Sequence, residues 1–312
     1  MSSAAYGGLN EMNPDQSGVC YNRIAVGEHI DEIDIRPSPI AGRWYPAQPQ
    51  VLRESIENWL QEAESEPIEG QPIGVIVPHA GHRYSGPVAA HAFAYLRDQH
   101  PSIVAVLSPL HAPAAGRIIT SGHEAYRTPL GTIQLDLDLL QLVDDELRES
   151  IGVKMVRLRQ DQEHSLEIEL PFLQVVLGSS FKLLPLMLRD QSASTVRGLA
   201  DVLSKVLHAQ EVLLVASSDL SHFYPQEVAH RLDRELLRRV ESFDPQAVLE
   251  AEVQGVGFAC GRGAIAATLW TARALGADGV HVVHYATSGD VTHDYDSVVG
   301  YGAAVITRDK LQ

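Results

Sequence analysis

Four short aliphatic runs, IGVIV (Ile73–Val77), IVAVL (Ile103–Leu107), KLLPLML (Lys182–Leu188) and EVLLVAS (Glu211–Ser217), punctuate the chain between stretches of helical periodicity. A strand with one wet face alternates apolar and polar residues. Runs that do not alternate are those of strands covered on both faces. The repeated order of run and helical stretch therefore predicts an α/β fold, with a mixed, largely parallel central sheet flanked by helices. Ahead of the first run, Leu52, Ile56, Trp59, Leu60 and Ala63 form one helical stripe. Near the C-terminus, VHVVHYA and SVVGYGAAVI read as two more strands. The loop between them is too short for a crossover helix, so this pair should be antiparallel.

Residues 1–35 are rich in Gly, Asn, Ser, Asp and Glu and lack an apolar period; they read as an N-terminal extension, a flexible or loosely docked arm. From RPSPIAGRWYP onward the composition is globular, and residues 36–312 read as one domain. A formal charge of -16, with no run of Lys or Arg longer than a pair, opposes nucleic acid and anionic membrane surfaces as partners. Cys20 and Cys260 give no disulfide framework, no apolar run approaches a membrane span, and the leader lacks a basic segment followed by an apolar core. The expected compartment is the cytoplasm.

The polar residues that follow the runs carry the chemistry. IGVIV leads into PHAGHRYSG, IVAVL into SPLHAPAAG and EVLLVAS into SDLSH, so His79, His111 and the pair Asp219 and His222 each follow a strand's C-terminal end. In open α/β sheets that edge is where ligands bind. Cys260 precedes a small-residue helix start in GFACGRGAIAATLW, where free N–H groups and the helix dipole favour a thiolate. Two imidazoles and a thiolate make a three-ligand metal set with open positions; iron, copper and zinc all accept these donors. Asp219 or Glu163 can supply a carboxylate in place of Cys260, and His222 suits proton transfer. In DQEHSLEIELPFL, Ser165 reads as a helix cap and Leu166, Leu170 and Leu173 as core, while Glu163, His164 or Glu167 can orient a ligand from behind. His82 is expected to line the pocket or face solvent, and His91, His100, His208 and His230 to serve surface or packing roles. Arg43, Arg83 and Arg262 lie in motif loops able to receive an anion.

The ordered series AGRWYP, PHAGHRYSG, EHSLEIELPFL, SSDLSH, ACGRG, YATSGDV and SVVGYGAAVI resembles the MEMO family, known in prokaryotes as AmmeMemoRadiSam system protein B, over residues 36–307. The resemblance implies the fold of the class III (LigB-like) extradiol dioxygenases, non-haem iron enzymes that cleave catecholic rings with O2. It also implies metal ligation by His79, His111 and Cys260, with Asp219 and His222 lining the same pocket. In those dioxygenases a carboxylate stands where Cys260 does, and the histidine matching His222 is the acid/base group. This chain departs from the family pattern at His82, where Tyr is common, and at Pro109 and Leu110, where polar residues usually precede the second histidine. The expectation is a mononuclear metalloprotein, with iron(II) favoured over copper or zinc, acting oxidatively on a small molecule with O2. The alternatives are a copper-dependent redox protein and a non-enzymatic adaptor that uses the pocket for a peptide or protein partner.

Overall fold

The computed structural model describes residues 33–63 and 66–309. Residues 1–32 of the expected arm, and Cys20 with them, lie outside the described residues. The described residues from Ile33 onward form one compact unit.

In chain order the strands are β1 (Ile35–Arg36), β2 (Gln71–Val77), β3 (Ile103–Pro109), β4 (Ile118–Ser121), β5 (Ala125–Thr128), β6 (Gly131–Gln134), β7 (Val156–Leu158), β8 (Lys182–Leu188), β9 (Val212–Ser217), β10 (His222–Tyr224), β11 (Gly279–Thr287) and β12 (Val298–Arg308). The helices are α1 (Pro49–Glu62), α2 (His82–Phe93), α3 (Leu137–Ile151), α4 (Leu170–Leu177), α5 (Ala193–Val206), α6 (Gln226–Glu241), α7 (Pro245–Val253), α8 (Arg262–Ala274) and α9 (Gly289–Thr292). The main sheet runs β10-β12-β2-β9-β3-β8-β4-β7, with β11 also paired to β12. Its centre, β2-β9-β3-β8, is parallel and consists of the four aliphatic runs. β11 and β12 pair antiparallel, as their short connection requires, and β12 lies antiparallel on β2. A small second sheet, β1-β5-β6, was not legible in the sequence.

Val75, Val77, Val104 to Leu107 and Leu213 to Ala216 are buried, and because consecutive strand residues point to opposite faces, both faces of the sheet are covered there. Burying each Val or Leu there contributes roughly 1.5–3 kcal/mol. The α1 stripe behaves as its spacing predicts: Leu52, Ile56 and Leu60 are buried and Trp59 packs against the core edge. Local signals set helix limits. Asp136 caps α3 by accepting from Leu139 N–H at 3.1 Å, and Gly152 ends it in the left-handed conformation at φ 65°. No helix among the described residues is long and apolar enough to cross a membrane.

For the site, the decisive feature is that β9 lies between β2 and β3, with Val77 beside Ser217 and Leu107 beside Ala216. The loops leaving these three strands therefore start side by side at one edge.

Candidate metal centre

The turn after β2 is fixed from β9. Asp219 Oδ1 accepts from the backbone N–H of His79 at 2.7 Å and of Ala80 at 3.2 Å, which holds the His79 backbone over the end of β9. Burial raises the Asp219 pKa to about 7, against the opposing pull of those two donors. His79 is fully enclosed, and its Nδ1 lies 2.9 Å from Ser217 Oγ at the last position of β9. Burial, and then the nearby His164 and His111, keep His79 well below its ordinary pKa, so the ring is neutral.

His111, just past β3, rests on Glu163. Its backbone N–H donates to Oε2 at 2.6 Å and its Nδ1–H to Oε1 at 2.9 Å. The same Oε1 accepts from the N–H of His164 and of Ser165, each at 3.0 Å, and lies 3.3 Å from His164 Nδ1. Burial opposes the Glu163 charge, but His111 and the backbone donors outweigh it and hold the carboxyl far below its usual range. The mirror image appears at His111, where burial pulls the pKa down and Glu163 lifts it above the ordinary value. Burial takes His164 down to about 4 although Glu163 pulls the other way.

The segment that carries Glu163 is itself anchored. Arg36, 1% exposed, donates to Glu163 O at 3.0 Å, binds both oxygens of Asp161 at 2.6 and 3.0 Å, and pairs with Glu167. Tyr45 and Ser38 also donate to Glu167. Of the three residues expected to orient a ligand from behind, Glu163 does so directly, while Glu167 acts on the backbone through Arg36.

His164, expected behind a ligand, stands instead in the cluster. One ligand atom each from His79, His111 and His164 lie within 4.8 Å of one another. The His111 and His164 rings stack at 4.8 Å between centroids, 17° from parallel, and His164 also stacks on Trp44 at 4.0 Å. Cys260 approaches from the α8 side, with Sγ 3.1 Å from His79 Nε2, but it stands outside the three-histidine group, so the expected set of His79, His111 and Cys260 is brought together only in part. A Cβ on Gly261 would lie 2.5 Å from Ser217 O and 2.8 Å from Ser218 Cβ, so only glycine lets the Cys260 loop approach β9 this closely. The expected thiolate is not favoured by these surroundings. Burial and then Asp219 push the thiol well above its ordinary pKa, which outweighs the start of α8.

His222 falls on β10 rather than in a loop. Its Nδ1–H donates to Leu220 O at 2.8 Å, which leaves Nε2 as its basic nitrogen. Burial lowers its pKa, as does the charge of His111. Phe223 beside it takes the left-handed conformation at φ 62°, uncommon for an aromatic residue. His82 neither faces solvent nor joins the cluster: it is buried among Tyr45, Trp59 and Phe172 and donates from Nε2 to Ile168 O at 2.9 Å. Arg262 pairs with Glu252, and Arg83 lies over Tyr84. His91 stacks on His284, and His230 meets the edge of Tyr285.

These donors fit a transition-metal ion. Two imidazole nitrogens on one ion, with bonds of roughly 2.0–2.1 Å, sit about 3.4 Å apart, so the cluster needs a closing movement on the order of 1 Å. The Nδ1 atoms of His79 and His111 are occupied by a hydroxyl and a carboxylate, the outer arrangement that turns Nε2 inward. Sequence reasoning missed Ser217, although a hydroxyl ending an aliphatic strand is a signal. For His164, the adjacent Glu163 was the available clue.

Fold and cluster together define a class: an α/β protein with a histidine-rich site, at the strand ends of its sheet, that can hold a metal ion. Residues 36–305 match the Memo-like protein family. The chain is 34% identical over 291 residues to a MEMO1 family protein of Methanopyrus kandleri, covering 88% of this chain and 99% of that one. It is 35% identical over 274 residues to a MEMO1 family protein of Methanococcoides burtonii, covering 87% and 100%. For a MEMO1 family protein of Nitrosopumilus maritimus the figures are 31% over 273 residues, 86% and 98%. The chain belongs to the MEMO family.

Proposed function

We propose that this protein binds one transition-metal ion, iron(II) in preference to copper or zinc, and uses it in an oxidative step on a small molecule with O2. His79 and His111 hold the ion through Nε2, and Cys260 supplies the third ligand once a cation offsets the cost of its charge. His164 is a further nitrogen at the same place. When bound, the ion supplies Lewis-acid and redox chemistry at its open positions.

The chain's own residues do the rest. His222, its Nδ1–H committed to Leu220 O and its pKa lowered by burial, is neutral near pH 7 and presents Nε2 as a proton acceptor. Asp219 keeps the His79 turn in place through Oδ1. Trp44, stacked on His164, gives the cluster an aromatic wall.

The observation that carries this reading is the orientation of His79 and His111, each with Nδ1 engaged from behind and a common neighbourhood in front. Anaerobic purification followed by metal analysis and EPR tests it. The expected result is close to one iron per chain, lost in His79→Ala and His111→Ala and reduced in Cys260→Ser. Preferential copper uptake would replace the metal. A chain that stays metal-free after reconstitution would refute the reading in favour of an adaptor that binds a peptide in this pocket.

A further inference from the structure

We propose that Glu169 is a positioning residue: it is a neutral carboxylic acid that donates to Ser217 and, through Ser217, holds His79 with Nδ1 protonated and Nε2 facing the cluster. The inference rests on the metal-site reading for its functional meaning, and on hydrogen-bond counting for its chemistry.

Ser217 Oγ has three polar neighbours: Ser165 O at 2.6 Å, Glu169 Oε1 at 2.8 Å and His79 Nδ1 at 2.9 Å. A hydroxyl carries one proton and two lone pairs. A backbone carbonyl can only accept, and Ser165 O is the nearest of the three, so the Ser217 proton belongs to it. Both lone pairs are then offered to the remaining neighbours, which must donate. His79 can do so only as the Nδ1–H tautomer, which places its free lone pair on Nε2, the atom 3.1 Å from Cys260 Sγ. Glu169 can do so only with a proton on Oε1.

The competing arrangement sends the Ser217 proton to an ionised Glu169. It leaves two oxygens 2.6 Å apart at Ser165 with no hydrogen between them. It also leaves a carboxylate, 1% exposed, with no cation among the described residues acting on it and with Asp219 as a like charge whenever that residue is ionised. A buried charge without a partner is far costlier than a buried acid with a satisfied O–H. The surroundings act in the same direction: burial, with Asp219 adding to it, raises the Glu169 pKa well above its ordinary value, and the Ser217 hydrogen bond only partly offsets this.

Glu169 lies in the one-turn helix Glu167–Glu169 that leads into α4, so this contact also ties the His164 segment to the end of β9. A neutral donor is what the position requires. Gln, whose amide can donate from the same place, is therefore the conservative variant, and Ala the disruptive one.

The test uses the full-length, metal-free protein. The infrared difference spectrum at neutral pH, wild type minus Glu169→Gln, should show a protonated carboxyl stretch that shifts in D2O, separate from any contribution of Asp219, which is common to both proteins. Long-range 1H–15N NMR should assign Nδ1–H to His79 in both proteins. Titration with Fe(II) under anaerobic conditions should give equal affinity, within about two-fold, for wild type and Glu169→Gln, and a loss on the order of ten-fold or more for Glu169→Ala. If Glu169→Ala does not fold, Ser217→Ala replaces it, with the same loss expected. Absence of the carboxyl band, or a Gln variant as impaired as the Ala variant, overturns the proposal. A wild type that shows the band and the tautomer but takes up no iron supports the hydrogen-bond assignment and refutes the metal reading instead.

Discussion

Replacing Glu163 with Gln tests the support beneath His111. The carboxylate accepts from His111 N–H and Nδ1–H, His164 N–H and Ser165 N–H, and both of its oxygens are in use. Either orientation of a Gln amide sets an N–H group against one of those donors. Removing one partner of a buried ionic contact costs about 3–5 kcal/mol. The His111 side chain is 39% exposed, so water can take over part of its hydrogen bonding, which places the expected loss near the lower end, at about 3 kcal/mol. For a domain of this size each 1 kcal/mol moves the melting temperature by roughly 2–4 °C, so the metal-free variant should melt roughly 6–12 °C lower.

The pH dependence has a definite sign. Glu163, with its folded pKa lowered, contributes stability that is present above its unfolded value and is lost as pH falls toward the folded one. His111, with its folded pKa raised, contributes stability that is full below its unfolded value and is lost as pH rises through the folded one. The pair therefore stabilises most between the ordinary carboxylate and imidazole ranges. Because the His111 proton sits on the ring in that window, metal binding displaces it, and wild-type affinity should climb as pH rises through the raised His111 value. In Glu163→Gln the cause of that elevation is gone. Affinity at high pH should fall about 10–100-fold, and its pH dependence should move to lower pH. Isothermal titration with Zn(II) from pH 5.5 to 8.5, alongside thermal melts, measures both. A variant that melts within about 2 °C of wild type and keeps the same affinity profile would refute the argument that Glu163 holds His111.

Three further outcomes follow from the packing. Arg36→Met leaves Asp161 and Glu167 buried without their cation, so it should destabilise by about 3–5 kcal/mol in chemical denaturation and loosen the Glu163 segment, seen as faster amide exchange at His164. Gly261→Ala places a methyl 2.5 Å from Ser217 O; it should cost about 1–3 kcal/mol in stability and slow or abolish reaction of Co(II) with Cys260, read from thiolate charge-transfer absorption. Leu107→Ala at the sealed end of β3 should cost about 2–5 kcal/mol while leaving metal stoichiometry unchanged, which separates core packing from site formation.

The central strands could be read directly because they are buried on both faces, and continuous apolar runs are the chemical trace of that burial. The placement of His79, His111 and Asp219 at strand ends followed from the same runs. The short strands β4, β5, β6 and β7 could not be read in this way: each spans three or four residues and is held mainly by its partners, so no local pattern marks it.

By itself, then, the sequence determined the α/β architecture, the antiparallel C-terminal pair and the loops that bear the reactive side chains, since each depends on local periodicity and chain connection. Only the tertiary structure decided that β9 lies between β2 and β3, that His164 enters the cluster while His82 withdraws into an aromatic nest, and that Cys260 is buried beside Asp219, where a thiolate is disfavoured. Those outcomes depend on strand order and on burial by residues distant in the chain, and both the energy of a charge and the direction of a ring are set by such neighbours.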